Sequence, residues 1–189
     1  MSGYFVVLTN LCSIPCILYY QYQKKYFYSL QVLLNSLFSF LHHLNGSGLK
    51  QLSDNGIFDF LDGLYSYLSI YIFSIYLFLS NHEELKTELY LIKTILLSLV
   101  YLSFGTNIIL PSLIFMIFFI TGMQYQKMNK LILRNFNFIM VILLSIADVA
   151  CFFAAIEYEY NYLHGIHHLI AFNIPIFIDK YILENQNQN

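Results

Sequence analysis

Tryptophan is absent and charge is scarce: Asp, Glu, Lys and Arg together make up 11% of the 189 residues, where a water-soluble domain carries about a quarter. Nine Lys and Arg cannot form a nucleic-acid footprint, and a net charge of -2 creates no long-range field. Cysteine is equally sparse. Cys12, Cys16 and Cys151 all fall in apolar stretches, which excludes a disulfide framework or zinc-finger spacing. Cys12 and Cys16 share one helix face and read as small packing residues. No internal repeat or second domain is visible.

What is present in abundance is apolar surface. Hydrophobic residues reach 58% and mean hydropathy is +0.61, with 19% aromatics supplied by Phe and Tyr. The chain reads as an all-α, multi-pass integral membrane protein. A helix crosses the hydrocarbon core with about 20 mostly apolar residues. Spans are predicted at about 4–20, 26–44, 57–80, 88–104, 106–122, 136–156 and 163–182, making one seven-helix domain over residues 1–182. The polar tail 183–189 is expected to fray. The first span lacks a basic leader and a small-residue cleavage site, so it is expected to be retained as a helix. The stretch 88–122 is too long for one crossing, and Phe104-Gly105-Thr106-Asn107 with Pro111 supplies a break. The alternative division gives six spans.

Cations set the orientation. With seven spans, Lys24, Lys25, Lys86, Lys127, Lys130, Arg134 and Lys180 share the side of the C-terminus, and only Lys50 lies opposite. Lys93 lies near the cation-rich end of its span and can snorkel to that side. The N-terminus is therefore expected outside or in a lumen, and the C-terminus in the cytosol. Asn45-Gly46-Ser47 is a glycosylation sequon too close to the membrane to be used.

Ionisable side chains inside spans are costly, and by default they mark a functional site or a buried partner. In this topology Ser39, His42 and His43 sit at the outer end of span 2. Asp59 and Asp62 occupy the first two turns of span 3, and His164, His167 and His168 those of span 7. Three clusters distant in sequence thus reach one depth near the outer leaflet. Ser39 with His43, and His164 with His168, stand four apart on one helix face. Two imidazoles at that spacing can share a zinc ion. A third from span 2 leaves the fourth position for water, whose pKa falls to about 7 on zinc. Asp62 can then hold or deprotonate that water, and Ser39 can hydrogen-bond to it or to an oxyanion. Taken singly, each histidine reads better as an interfacial side chain bonded to water, and Asp59 or Asp62 equally well as a helix cap. Asp148, among small residues of span 6, is either a carboxylate partner for a histidine or a hydrogen-bonding group within the bundle.

Ser-x-x-x-His ending span 2, Asp in span 3 and His-x-x-x-His in span 7 resemble the CREST superfamily of seven-helix membrane hydrolases. That superfamily holds alkaline ceramidases, progestin/adiponectin-type receptors, haemolysin-III-like proteins and the TMEM8 group, which contains a GPI-anchor phospholipase A2 and myomaker. Phe58-Asp59-Phe60-Leu61-Asp62-Gly63-Leu64-Tyr65-Ser66 and Asn161-Tyr162-Leu163-His164-Gly165-Ile166-His167-His168-Leu169 are most similar to the TMEM8 group, with Gly165 and His167 where that group has Ser and Trp. The resemblance implies zinc ligation by His43, His164 and His168, with Asp62 and Ser39 beside the metal. The Ser39 spacing selects His43, whereas aligning Asn45-Gly46-Ser47-Gly48 selects His42, and Asp59 is the alternative acid. The implied activity is zinc-dependent hydrolysis of a lipid amide or ester at the outer or lumenal leaflet of the secretory pathway or plasma membrane. A non-catalytic, myomaker-like remodelling or receptor-like protein is the second reading, and an accessory subunit of a membrane complex the third. A shared metal requires the three imidazoles to converge within about 4 Å.

Overall fold

The computed structural model describes residues 2–46, 56–78, 135–158 and 160–186, all of them helices or the short turns joining them. The first span is α1 (Ser2–Thr9), a 3-10 turn over Asn10–Cys12, and α2 (Ser13–Tyr22). Then come α3 (Tyr26–Gly46), α4 (Ile57–Phe78), α5 (Phe136–Glu157), α6 (Tyr160–Ala171) and α7 (Ile174–Gln186). Three described stretches are long and apolar enough to cross a membrane: Gly3–Tyr22, Phe136–Ala155 and Tyr162–Glu184. The segments expected to span at 88–104 and 106–122 lie outside the described residues.

The breaks have local causes. In the first span, the side chains of Thr9 and Asn10 donate to the Val6 carbonyl, and Ser13 donates to that of Asn10. Such bonds compete with the helical ladder. Pro15, with no N–H to offer, falls in the first turn of α2, where its loss is tolerated. The chain tightens to 3-10 geometry just there. The end of α2 is a Schellman turn: Lys24 takes a left-handed φ of 59°, and the N–H of Lys25 returns to the Tyr20 carbonyl at 2.9 Å. The span expected at 163–182 is two helices, because Pro175 cannot continue the ladder and Asn173 Nδ2 donates to the Leu169 carbonyl instead. Chain beyond 182 stays helical to Gln186, with Glu184 held by the side chains of Asn135 and Asn137.

α3 lies between α4 and the first span, α1 runs against α6, α5 covers α6 and α7, and α4 meets α7. Apolar side chains face outward as well as into the core. Tyr4, Leu8, Leu11, Ile14, Leu18 and Tyr22 form an exposed stripe along the first span. Asn10, Ser13, Ser29, Gln31, Ser36, Ser74 and Asn137 are buried. An apolar stripe of that length in water would be a large unexplained patch; facing lipid it is the ordinary outer surface of a bundle. Inside, Ser13 donates to Ser36 at 2.7 Å, Gln31 to Ser69 at 3.0 Å and Ser66 to Asn35 at 3.1 Å, so polar side chains staple the helices together.

An aromatic core of Tyr20, Tyr28, Phe73, Tyr76 and Phe172 fills the half of the bundle near Lys25. Embedded in it is Asp179, fully buried and ion-paired with Lys25. Tyr19 and Tyr76 also donate to this carboxylate, and Lys25 donates to Tyr76 at 2.7 Å. The first span, the turn after it, α4 and α7 thus meet at one charge.

Candidate metal centre

α3 positions the first ligand. Ser36, Ser39 and His43 recur at three and four residues and are all buried, so they line one helix stripe. Lys25 and His43 bracket α3, 18 residues apart, or about 27 Å at the helical rise. The histidine cluster and the Asp179 charge therefore occupy opposite ends of the bundle.

α6 brings the other two ligands on a single face, with His164 and His168 one turn apart. The imidazole of His43 packs against both, at centroid separations of 4.7 Å to His164 and 5.0 Å to His168; those two are 4.7 Å apart. All three are buried, and one ligand nitrogen from each lies within 4.8 Å of the others, a spacing that can hold a metal ion. Tetrahedral ligation at about 2.0–2.1 Å needs nitrogens about 3.4 Å apart. The 4.8 Å limit is wider than that, and wider than the separation of about 4 Å required above of a shared metal, so the rings must draw together to ligate one ion.

Hydrogen bonds fix the orientation of His168. Thr9 Oγ1 donates its own proton to the Val6 carbonyl at 2.8 Å, so at 3.2 Å it accepts from Nδ1–H of His168, and Nε2 presents its lone pair to the cluster. Nε2 is 3.3 Å from Ser39 Oγ, and Asp62 lies beside Ser39. Asp62 Oδ1 is buried without a hydrogen bond from the described residues. A buried carboxylate oxygen in that state beside three imidazoles fits a cation site.

Three imidazoles without a thiolate suit zinc, copper, iron or nickel. Three protein ligands leave an open position.

The alternatives left open by the sequence separate here. His43 joins the cluster, whereas His42 turns toward Asp59, with Nδ1 3.8 Å from Oδ1. Asp62 lies against Ser39, and Asp59 is mostly exposed. Asp148 pairs with His167, Oδ1 to Nδ1 at 2.7 Å, in a close but poorly aligned contact. It touches a histidine, though not one of the three. Sequence reasoning missed Thr9 and gave Gly165 no role beyond its place in the resemblance. A Cβ built on Gly165 would collide with the Phe5 ring and lie 3.3 Å from Thr9 Cγ2. The bare glycine lets α1 approach α6 closely enough for Thr9 to reach His168. A lone threonine in an apolar span carries no signature of that role.

No protein-family model matches this chain, and neither does any curated protein.

Proposed function

We propose that the protein is a seven-helix membrane hydrolase that cleaves an amide or ester bond of a membrane lipid, in the outer or lumenal leaflet, with a zinc ion held by His43, His164 and His168. The observation that supports it most is the convergence of three buried imidazoles from α3 and α6 on one point, with a hydroxyl and a carboxylate beside them. Seven spans follow from adding the two expected at 88–104 and 106–122. The excess of cations on one side then puts the N-terminus and the metal centre outside or in the lumen.

Zinc bound there would supply Lewis-acid polarisation of a lipid carbonyl and would acidify a water. The chain's own residues do the rest. Asp62 offers a buried carboxylate oxygen with no competing hydrogen bond from the described residues, placed to take a proton from water. Ser39, 3.3 Å from His168 Nε2, is placed to donate to an oxyanion when charge develops. Thr9, whose hydroxyl donates to the Val6 carbonyl, accepts from Nδ1 and holds His168 in the ligating tautomer. The lipid's acyl chains remain in the apolar phase, and its headgroup faces the outer side.

The test is metal analysis of purified protein, followed by turnover assays on ceramide, lysolipid and GPI panels. The wild type should carry about one zinc per chain, and the His164→Ala/His168→Ala variant none. Asp62→Ala should keep the metal and lose at least about 100-fold in turnover, the lower range for a general base. Metal retained with no hydrolysis of any panel lipid would favour a non-catalytic remodelling or receptor-like role. Absence of metal from the wild type would leave an accessory subunit.

A further inference from the structure

α6 carries a third histidine that ligation does not use. His167 lies between the two ligands in sequence and points to a different side, toward α5. There Asp148 Oδ1 sits 2.7 Å from its Nδ1, both groups being about four-fifths buried. Phe152, one turn further along α5, packs its ring 5.4 Å from His167 and 6.2 Å from His164. α5 thus presents a carboxylate and an aromatic ring, four residues apart, to consecutive turns of α6.

His168 faces the other way, held by Thr9 on α1 and by Ser39 on α3. Adjacent residues on a helix point about 100° apart. Two polar attachments made by neighbours, one to α5 and one to α1, fix the rotation of α6 about its own axis. An attachment on one side alone leaves that rotation free. Rotation decides whether His164 and His168 both face His43. Uncompensated burial of a carboxylate within a bundle is costly, and pairing with His167 offsets that cost.

We infer that Asp148 is a positioning residue of the metal centre: through His167 it sets the rotation of α6 that brings His164 and His168 onto one ion. This rests on the reading of the three histidines as a metal site, and it adds residues that touch neither metal nor substrate.

The experiment uses full-length protein in detergent or nanodiscs, titrated with zinc and separately with cobalt, whose visible absorption reports ligand geometry. Asp148→Ala should weaken zinc binding about tenfold, the lower range for groups that orient metal ligands, and shift the cobalt band. Asp148→Asn, which keeps an acceptor oxygen and the side-chain shape, should restore both. In a His167→Phe background Asp148→Ala should have no further effect, since the pair acts as a unit. Wild-type zinc affinity and an unshifted cobalt band in Asp148→Ala overturn the inference while leaving the metal centre intact. So does a full loss that persists in the His167→Phe background. Failure of the wild type to bind either metal overturns the metal centre itself, and this inference with it.

Discussion

Gly165 shows how one absent methyl group governs the site. Its missing Cβ is the space that Phe5 and Thr9 occupy. Gly165→Ala gains helix propensity, worth up to about 1 kcal/mol, yet it must displace the Phe5 ring and crowd Thr9. Overpacking of that kind costs about 1–3 kcal/mol. We expect a net loss of thermal stability in detergent, together with weaker zinc binding as His168 loses its contact with Thr9. Phe5→Ala in the same chain should recover part of the stability. Stability and metal affinity both unchanged in Gly165→Ala would show that α1 does not press on α6 as described. At the same scale, His42 and His43 differ only by the 100° between adjacent helix positions. That angle sends one to exposed Asp59 and the other into the buried cluster.

Among the helices, the Asp179 network links the end of the bundle opposite the histidines. It ties α7 to the first span, to the turn before α3 and to α4, and its carboxylate receives Lys25, Tyr19 and Tyr76. Removing one partner of a buried ion pair costs about 3–5 kcal/mol, whereas replacing both with apolar groups of similar volume is close to neutral. Lys25→Met alone should therefore lower the thermal transition markedly, and Lys25→Met/Asp179→Leu should recover much of the loss. Equal destabilisation by the single and double variants would mean that hydrogen bonding by the two tyrosines, not the ion pair, holds this end. The break between α6 and α7 belongs to the same scale. Pro175 interrupts the ladder, and its carbonyl accepts from Tyr20 at 2.6 Å, so the interruption is tied into the core.

For the whole molecule, the polar interior and apolar exterior describe a protein built for lipid as its solvent. The cluster of three histidines and the Lys25–Asp179 pair lie at opposite ends of α3. Their separation of about 27 Å by helical rise matches a hydrocarbon core of about 30 Å. With the proposed orientation, a single cysteine placed at Gln23, with the native cysteines replaced, should react with a membrane-impermeant maleimide only after permeabilisation. One placed at Gly46 should react in intact cells. The reverse pattern would put the metal centre on the cytosolic side.

The helices were legible in the chain, because hydropathy and residue spacing are local quantities. α3 and α5 begin and end within two residues of the predicted limits, and the three histidines that the structure brings together were named from spacing and resemblance. The two helix interruptions were not foreseen, although Asn10, Pro15, Asn173 and Pro175 were in plain view. Whether a side-chain hydrogen bond or a proline breaks a span depends on which neighbour receives the freed carbonyl. Only packing decided that His43 and not His42 meets His164 and His168, that Asp148 lies against His167, and that Thr9 of the first span reaches His168 of α6. Each is a matter of helix rotation and of contact between helices far apart in sequence, set jointly by every surface that presses on them.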